Sequence, residues 1–378
     1  MSYSVFSKNK NNQVKEPMFF GQSVNVARYD QAKYPEFLWL SEEQNSFFWR
    51  PNEIDVSKDR IYTLNVEPHK LAIWLENLKY QTLLDSVQGR APAAALLPIT
   101  SLPEVENWIT TWTFSETIHS RSYTHIIRNL LNDPNDVFED IVTNKEIRKR
   151  AADISHYYDD VIILNQVSEL YGEGIHTIKG KKYDTRLRNR MKGVYLLLHC
   201  INALEAVRFY VSFACTFAFG QEKVFIANTD IMRLIARDEA LHLQGTQFMI
   251  NHIQNGDEGL LFREVAEECR SEAQRIFVAT VDQEKEWAKY LFRNGGIQGL
   301  NEIILGQYVE FIAGKRMGAV GLSNPYNIKE NPIPWINLWL NSDKIQSAPQ
   351  ERENVAYLIS QMDTKLDLGK LRTAYADY

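Results

Sequence analysis

Apolar residues recur along this chain at spacings of three and four over long stretches, with few of the strict alternations that mark half-buried strands. One stretch begins at Pro68, a favoured first residue of a helix. It carries Leu71, Trp74, Leu75, Leu78, Thr82 and Asp85 on one face and stops at Gly89, with Pro92 beyond. A second opens on Ser101 and Glu104, the spacing of a capping box, and sets Trp108, Trp112, Glu116, His119 and Tyr123 along one stripe. A third covers residues 194–219. A fourth takes its cap near Asn228 to Asp230 and runs Ile235, Glu239, His242, Thr246, Met249 and Ile253 along one face. Gly and Pro are sparse (18 and 12), and no strand, turn and strand signal repeats. The pattern predicts an all-α protein.

The third stretch is long and apolar enough to cross a bilayer, since 20 of its 26 residues are hydrophobic. The six exceptions are His199, Asn202, Glu205, Arg208, Ser212 and Thr216, which form one polar stripe at helical spacing. Glutamate and arginine in mid-stripe would be costly against lipid, so the expectation is a buried helix with a polar site on one side and no membrane span.

Residues 1–15 are polar and read as a flexible N-terminal segment, residues 16–340 as a single helical domain, and residues 341–378 as a polar, flexible C-terminal tail. Hydrophobic residues make up 44% and charged residues 24%, as in ordinary globular proteins. The net charge of −6 gives no footprint for nucleic acid. Three cysteines without CxxC spacing, and no apolar run in the first twenty residues, point to the cytoplasm.

The chemistry lies in acids on apolar faces. Glu-x-x-His places a carboxylate and an imidazole one helical turn apart, where both can ligate one ion. It occurs as Glu116/His119 and as Glu239/His242. Alone the motif is weak: with 8 His and 48 acidic residues in 378, an acid three places before a His arises about once by chance. Asp153/His156 and Glu173/His176 are decoys of this kind, the latter among glycines that disfavour a regular helix. What lifts the other two is combination, because two further helices each turn one acid inward, Asp85 and Glu205. Two helices giving Glu-x-x-His and two giving one acid is the arrangement of ferritin-like di-iron and dimanganese carboxylate proteins. The expected fold is therefore a ferritin-like helical bundle with additional helices around a di-metal site. Four carboxylates offset two divalent cations, whereas four unpaired carboxylates in a dry bundle would be prohibitive. Oxygen and imidazole donors suit iron or manganese.

Tyr123 lies four residues after His119, on the same face and one turn along. Beside an oxidising metal pair, with Phe209, Phe213 and Ile235 on neighbouring helices as a shield, it could lose an electron and a proton.

The strings SFFWRP (46–51), LKYQTLLDSVQGR (78–90), TFSETIHSRSYTHI (113–126), NALEAVRFYVSFA (202–214), IARDEALHL (235–243) and NPIPWINLWL (331–340) resemble the small, radical-generating beta subunit of class Ia ribonucleotide reductase. The likeness runs from about Glu16 to Tyr357. It implies a di-iron centre held by Asp85, Glu116, His119, Glu205, Glu239 and His242, which reacts with dioxygen to give a stable tyrosyl radical at Tyr123. It also implies an electron path through Trp49 and Asp238, transfer through Tyr357 to a large alpha subunit docked on the C-terminal tail, and a homodimer. The large subunit would then reduce ribonucleotides to deoxyribonucleotides. The competing readings are a ferritin-like ferroxidase, which needs neither Tyr123 nor Trp49, and a di-iron oxygenase or desaturase, which keeps an open substrate pocket.

Overall fold

The computed structural model describes residues 8 and 12–341 of the chain. Tyr357 and the remainder of the expected tail lie outside the described residues. The longer elements, in chain order, are α1 (Pro35–Ser46), α2 (Pro68–Gln88), α3 (Pro103–Leu130), α4 (Lys145–Tyr171), α5 (Leu187–Gln221), α6 (Ile226–Asn255), α7 (Leu260–Leu291) and α8 (Glu302–Ala319). Between α4 and α5 the chain makes an antiparallel hairpin of β1 (Ile175–Ile178) and β2 (Lys181–Asp184), with Ile175 opposite Asp184. The fold is all-α and ferritin-like, as expected. One hydrophobic cluster takes in residues from Met18 to Ile336, and α2, α3, α5 and α6 lie at its centre.

Helix α2 begins on Pro68 and ends before Gly89, as its sequence predicts. Gly89 matters because a Cβ there would stand 3.1 Å from the Asp85 carbonyl oxygen and 3.7 Å from the Glu116 backbone, so its absence lets α2 end against α3. Helix α3 departs from expectation at its start. Its N-cap is Leu102, followed by Pro103, and no capping box forms. Ser101 Oγ instead accepts the Gly21 amide, and Glu104 accepts the amides of Lys33 and Tyr34, so both side chains tether the N-terminal segment. Helix α6 likewise starts at Ile226, before the expected cap, from Phe225 in left-handed conformation (φ 51°). Its first-turn amide at Asn228 is satisfied from outside by Asp59 Oδ2 at 2.7 Å.

Helix α5 is the segment long and apolar enough to span a membrane, and its residues 194–220 are all buried inside the bundle. It contains one π turn, Leu204–Arg208. The extra residue in that turn rotates everything after it, so the polar stripe does not face one site. Asn202 donates to Thr246 on α6, Glu205 meets α2, Arg208 pairs with Glu284 on α7 at 2.8 Å, and the Ser212 backbone carbonyl and the Thr216 hydroxyl accept from Asn77 on α2. His199 packs edge-on against Tyr195, and burial pushes its imidazole down to about 3, so it is a neutral core residue. The decoys behave as decoys: His156 is exposed, and His176 bonds the Gly172 carbonyl on the hairpin.

Gly245 on α6 lies against the indole of Trp108, where an added Cβ would come within 2.7 Å of Cε2. Trp108 is fully buried and cannot swing aside. Gly245→Ala should therefore cost about 1–3 kcal/mol of stability. Gly318→Ala on α8, where a Cβ meets nothing within 4 Å, should cost nothing. Denaturant unfolding of the two variants in parallel checks this, and equal stabilities would contradict the packing described.

Candidate metal centre

The six predicted ligands converge. Asp85 from α2, Glu116 and His119 from α3, and Glu239 from α6 form one group whose ligand atoms lie within 4.8 Å of one another, and Glu116, Glu205, Glu239 and His242 form a second. The two quartets share Glu116 and Glu239, and together they supply one Glu-x-x-His from each of two helices and one acid from each of two others that would hold two ions. Both imidazoles turn Nδ1 toward the shared pair. His119 Nδ1 lies 3.3 Å from Glu116 Oε2 and 3.1 Å from Glu239 Oε1, and His242 Nδ1 lies 3.0 Å from Glu116 Oε1 and 3.3 Å from Glu239 Oε2. All six side chains are fully buried.

Metal fits the donors present. Both oxygens of Asp85, Glu205 Oε2, Glu116 Oε2, Glu239 Oε1 and His119 Nδ1 are buried without a hydrogen-bond partner. Such a set of orphaned acceptors is costly unless a cation joins them.

The surrounding side chains orient these donors. His119 Nε2 sits 3.2 Å from Asp238 Oδ2, which also accepts from Trp49 Nε1 at 2.8 Å. An Nε2–H donated to Asp238 leaves the Nδ1 lone pair for an ion. Burial pushes Asp238 up, but His119, the Arg237 guanidinium and Trp49 outweigh it and hold the carboxylate below its ordinary range. Trp112 Nε1 donates to Glu116 Oε1 at 2.9 Å, and Gln88 Nε2 donates to Glu205 Oε1 at 2.8 Å. Tyr123 is fully buried beside Asp85, its phenol pushed well up by burial and by that carboxylate. Phe209, Phe213 and Ile235 are fully buried, the two phenyl rings stacked at 6.1 Å.

Sequence reasoning assigns no role to Trp112, Gln88 and Tyr158, whose hydroxyl donates to Gln88 Oε1 at 2.7 Å. Trp112 precedes Glu116 by four residues and Gln88 follows Asp85 by three, so helical spacing carried a signal for both. Tyr158 approaches from α4 with no such signal.

The family model for the ribonucleotide reductase small chain matches residues 27–332. The chain belongs to that family. It is 59% identical to the ribonucleoside-diphosphate reductase subunit beta of Haemophilus influenzae, over 97% of this chain and 98% of that one. To the ribonucleoside-diphosphate reductase 1 subunit beta of Escherichia coli O157:H7 it is 57% identical, over 98% and 99%. Among solved structures it is similar to a ribonucleotide reductase R2 subunit from Clostridium botulinum (TM-score 0.72, 22% identity, covering 90% of this chain and 98% of that one). It is also similar to a Streptococcus sanguinis dimanganese(II)-NrdF (TM-score 0.62, 16% identity, covering 84% and 99%). As a ribonucleotide reductase small chain, the protein is the smaller component of an oxidoreductase that makes deoxyribonucleotides and has a large-subunit partner. The ferroxidase and desaturase readings are set aside.

In the metal-free cluster, protons do what cations would do. Burial, then the Glu116 charge, pushes Asp85 well up, and burial, then the Glu239 charge, pushes Glu205 well up. Burial alone would lower both imidazoles, but the carboxylates around them win, raising His119 well above its usual range and His242 to about 10. Burial pushes Glu116 up, yet His242 and His119 pull it down to about 2. Asp85, Glu205, His119 and His242 thus hold protons that the unfolded chain has lost near neutrality, so the metal-free fold weakens as pH rises. Two divalent cations must displace those protons. Loading near pH 7 should release up to roughly four protons, and the gain in melting temperature on loading should widen from about pH 6 to about pH 8. Calorimetry in buffers of differing ionisation enthalpy, with thermal melts, tests this; uptake without proton release would refute it.

Proposed function

We propose that this small chain holds two iron ions between Asp85, Glu116, His119, Glu205, Glu239 and His242, and that its product is a stable radical on Tyr123. The two quartets sharing Glu116 and Glu239, with Tyr123 buried beside Asp85, carry this reading. Carboxylate and imidazole donors suit iron and manganese alike. Iron follows from the class Ia resemblance; manganese, named for the Streptococcus sanguinis protein, is the alternative. When bound, the ions supply the oxidising power drawn from dioxygen.

The residues supply the rest. Tyr123 gives up one electron and its phenolic proton, for which the neighbouring Asp85 carboxylate is the acceptor. Complete burial excludes water and reductants from the ring, and we assign the apolar surroundings of the radical to Phe209, Phe213 and Ile235, which have no hydrogen-bonding side chain. Trp49, Asp238 and His119 form a hydrogen-bonded line from the cluster toward the end of α1, and we assign them the path by which an electron reaches the site from outside. Asp238 keeps the His119 and Trp49 N–H groups facing one acceptor, so proton position and electron position are coupled along this line. Residues 16–340 form the domain that carries the site, and the tail 341–378 docks the large alpha subunit, with Tyr357 relaying the radical between them. A homodimer is part of this reading.

Aerated, iron-reconstituted protein should show a tyrosyl doublet by electron paramagnetic resonance. Tyr123→Phe should keep both ions and the fold yet lose the doublet, because only the phenolic oxygen is removed; a persisting signal would move the radical to another tyrosine. Deleting the chain after Glu351 should abolish large-subunit association while leaving the doublet intact. Tyr357→Phe should preserve association and doublet but eliminate nucleotide reduction, and substantial turnover in that variant would remove Tyr357 from the route.

A further inference from the structure

The ligands differ in how firmly the protein holds them. Glu116 Oε1 accepts from Trp112 Nε1 at 2.9 Å, and both Glu116 and Glu239 have an oxygen within 3.3 Å of each imidazole. Glu205 has less support. It stands in the π turn of α5, out of register with the rest of that helix, and among the described residues its one hydrogen bond is the 2.8 Å contact from Gln88 Nε2 to Oε1. Oε2 has no partner. Gln88 is the last residue of α2, and its Oε1 accepts from the Tyr158 hydroxyl at 2.7 Å. Gln88 is fully buried and Tyr158 nearly so, hence no water competes for these bonds.

The direction of this chain is determined by donor and acceptor chemistry. A carboxylate that holds a metal ion is ionised and can only accept, so it must face the NH₂ end of the Gln88 amide. The amide oxygen then points to α4, where the Tyr158 phenol has to donate. Without that phenol the amide loses the group that fixes which end faces Glu205. Reversed, it would set a carbonyl oxygen against a carboxylate.

We propose that Gln88 and Tyr158 are positioning residues for the metal centre: the relay from Tyr158 through Gln88 occupies Glu205 Oε1 and leaves Oε2 alone to face the cluster. The inference rests on the reading of Glu205 as a ligand. Helix α4, which contributes no ligand, thereby acts on the centre through a single hydroxyl.

The test uses the intact chain loaded with Mn(II), read by stoichiometry, by release to a chelator and by the Mn(II) electron paramagnetic resonance spectrum. Tyr158→Phe keeps the ring and its packing and leaves one buried amide oxygen unpaired, so it should stay folded at a cost of stability and still bind two ions. One ion should leave about 10- to 100-fold faster than from the unaltered chain, the range seen when groups that orient a ligand are removed, and the spectrum should change. Gln88→Leu should do the same, and Gln88→Glu, which sets two carboxylates together, should do so more strongly. Glu205→Ala is the control that separates the two readings. If it loses one ion while Tyr158→Phe and Gln88→Leu release both ions at the unaltered rate with an unaltered spectrum, the relay is wrong and the ligand assignment stands. If Glu205→Ala retains both ions at full affinity, the ligand assignment fails and the relay with it.

Discussion

Four carboxylates taken out of water into the middle of a helical bundle are the constraint on which the rest of this structure depends. Isolated, each would carry a desolvation penalty of several kcal/mol, far more than the net stability of a domain can absorb four times over. The bundle meets this by bringing Asp85, Glu116, Glu205 and Glu239 into contact distance, so that one compact set of positive charges serves them all. Everything adjacent follows from that choice. Trp112 and Gln88 give N–H donors to one oxygen each of Glu116 and Glu205, and Asp238 anchors the far nitrogen of His119. Consecutive residues of α6, Asp238 and Glu239, therefore face opposite nitrogens of one imidazole on α3, Asp238 accepting from Nε2 and Glu239 lying 3.1 Å from Nδ1.

The basic residues of the interior are kept apart from this set. Arg208, three residues beyond Glu205 at the end of the same π turn, is drawn toward α7 by Glu284 and bonded also to Asp153 and Gln283. Tyr80 completes that second polar group by donating to Glu284 at 2.6 Å. An arginine aimed the other way would compete with metal for the acids, and the π turn is what turns it aside.

Much of this was legible in the sequence because helical geometry is local. Glu116/His119/Tyr123 and Glu239/His242 share faces through spacings of three and four, and Asp85 and Glu205 stand out as acids on apolar sides of long helices. What was not legible depends on partners far along the chain. The π turn leaves no mark in the pattern, so His199 to Thr216 read as one stripe when they serve separate neighbours. Ser101 and Glu104 have capping-box spacing but are engaged by Gly21, Lys33 and Tyr34, which no local rule anticipates. Asp59 serves the start of α6 from another segment in the same way. Tyr158 and Gln88 are 70 residues apart and meet only because α4 crosses the end of α2.

The complete burial of all six ligands bears on how the centre is filled as well as on what it does. A hydrated cation cannot diffuse to donors that bulk water does not touch; it must wait for the bundle to breathe. Such openings have their own free-energy cost, drawn from the least stable parts of the fold. Incorporation is then gated by the protein's motion, and the same gate, closed, traps the ions long after free metal has gone from the surroundings.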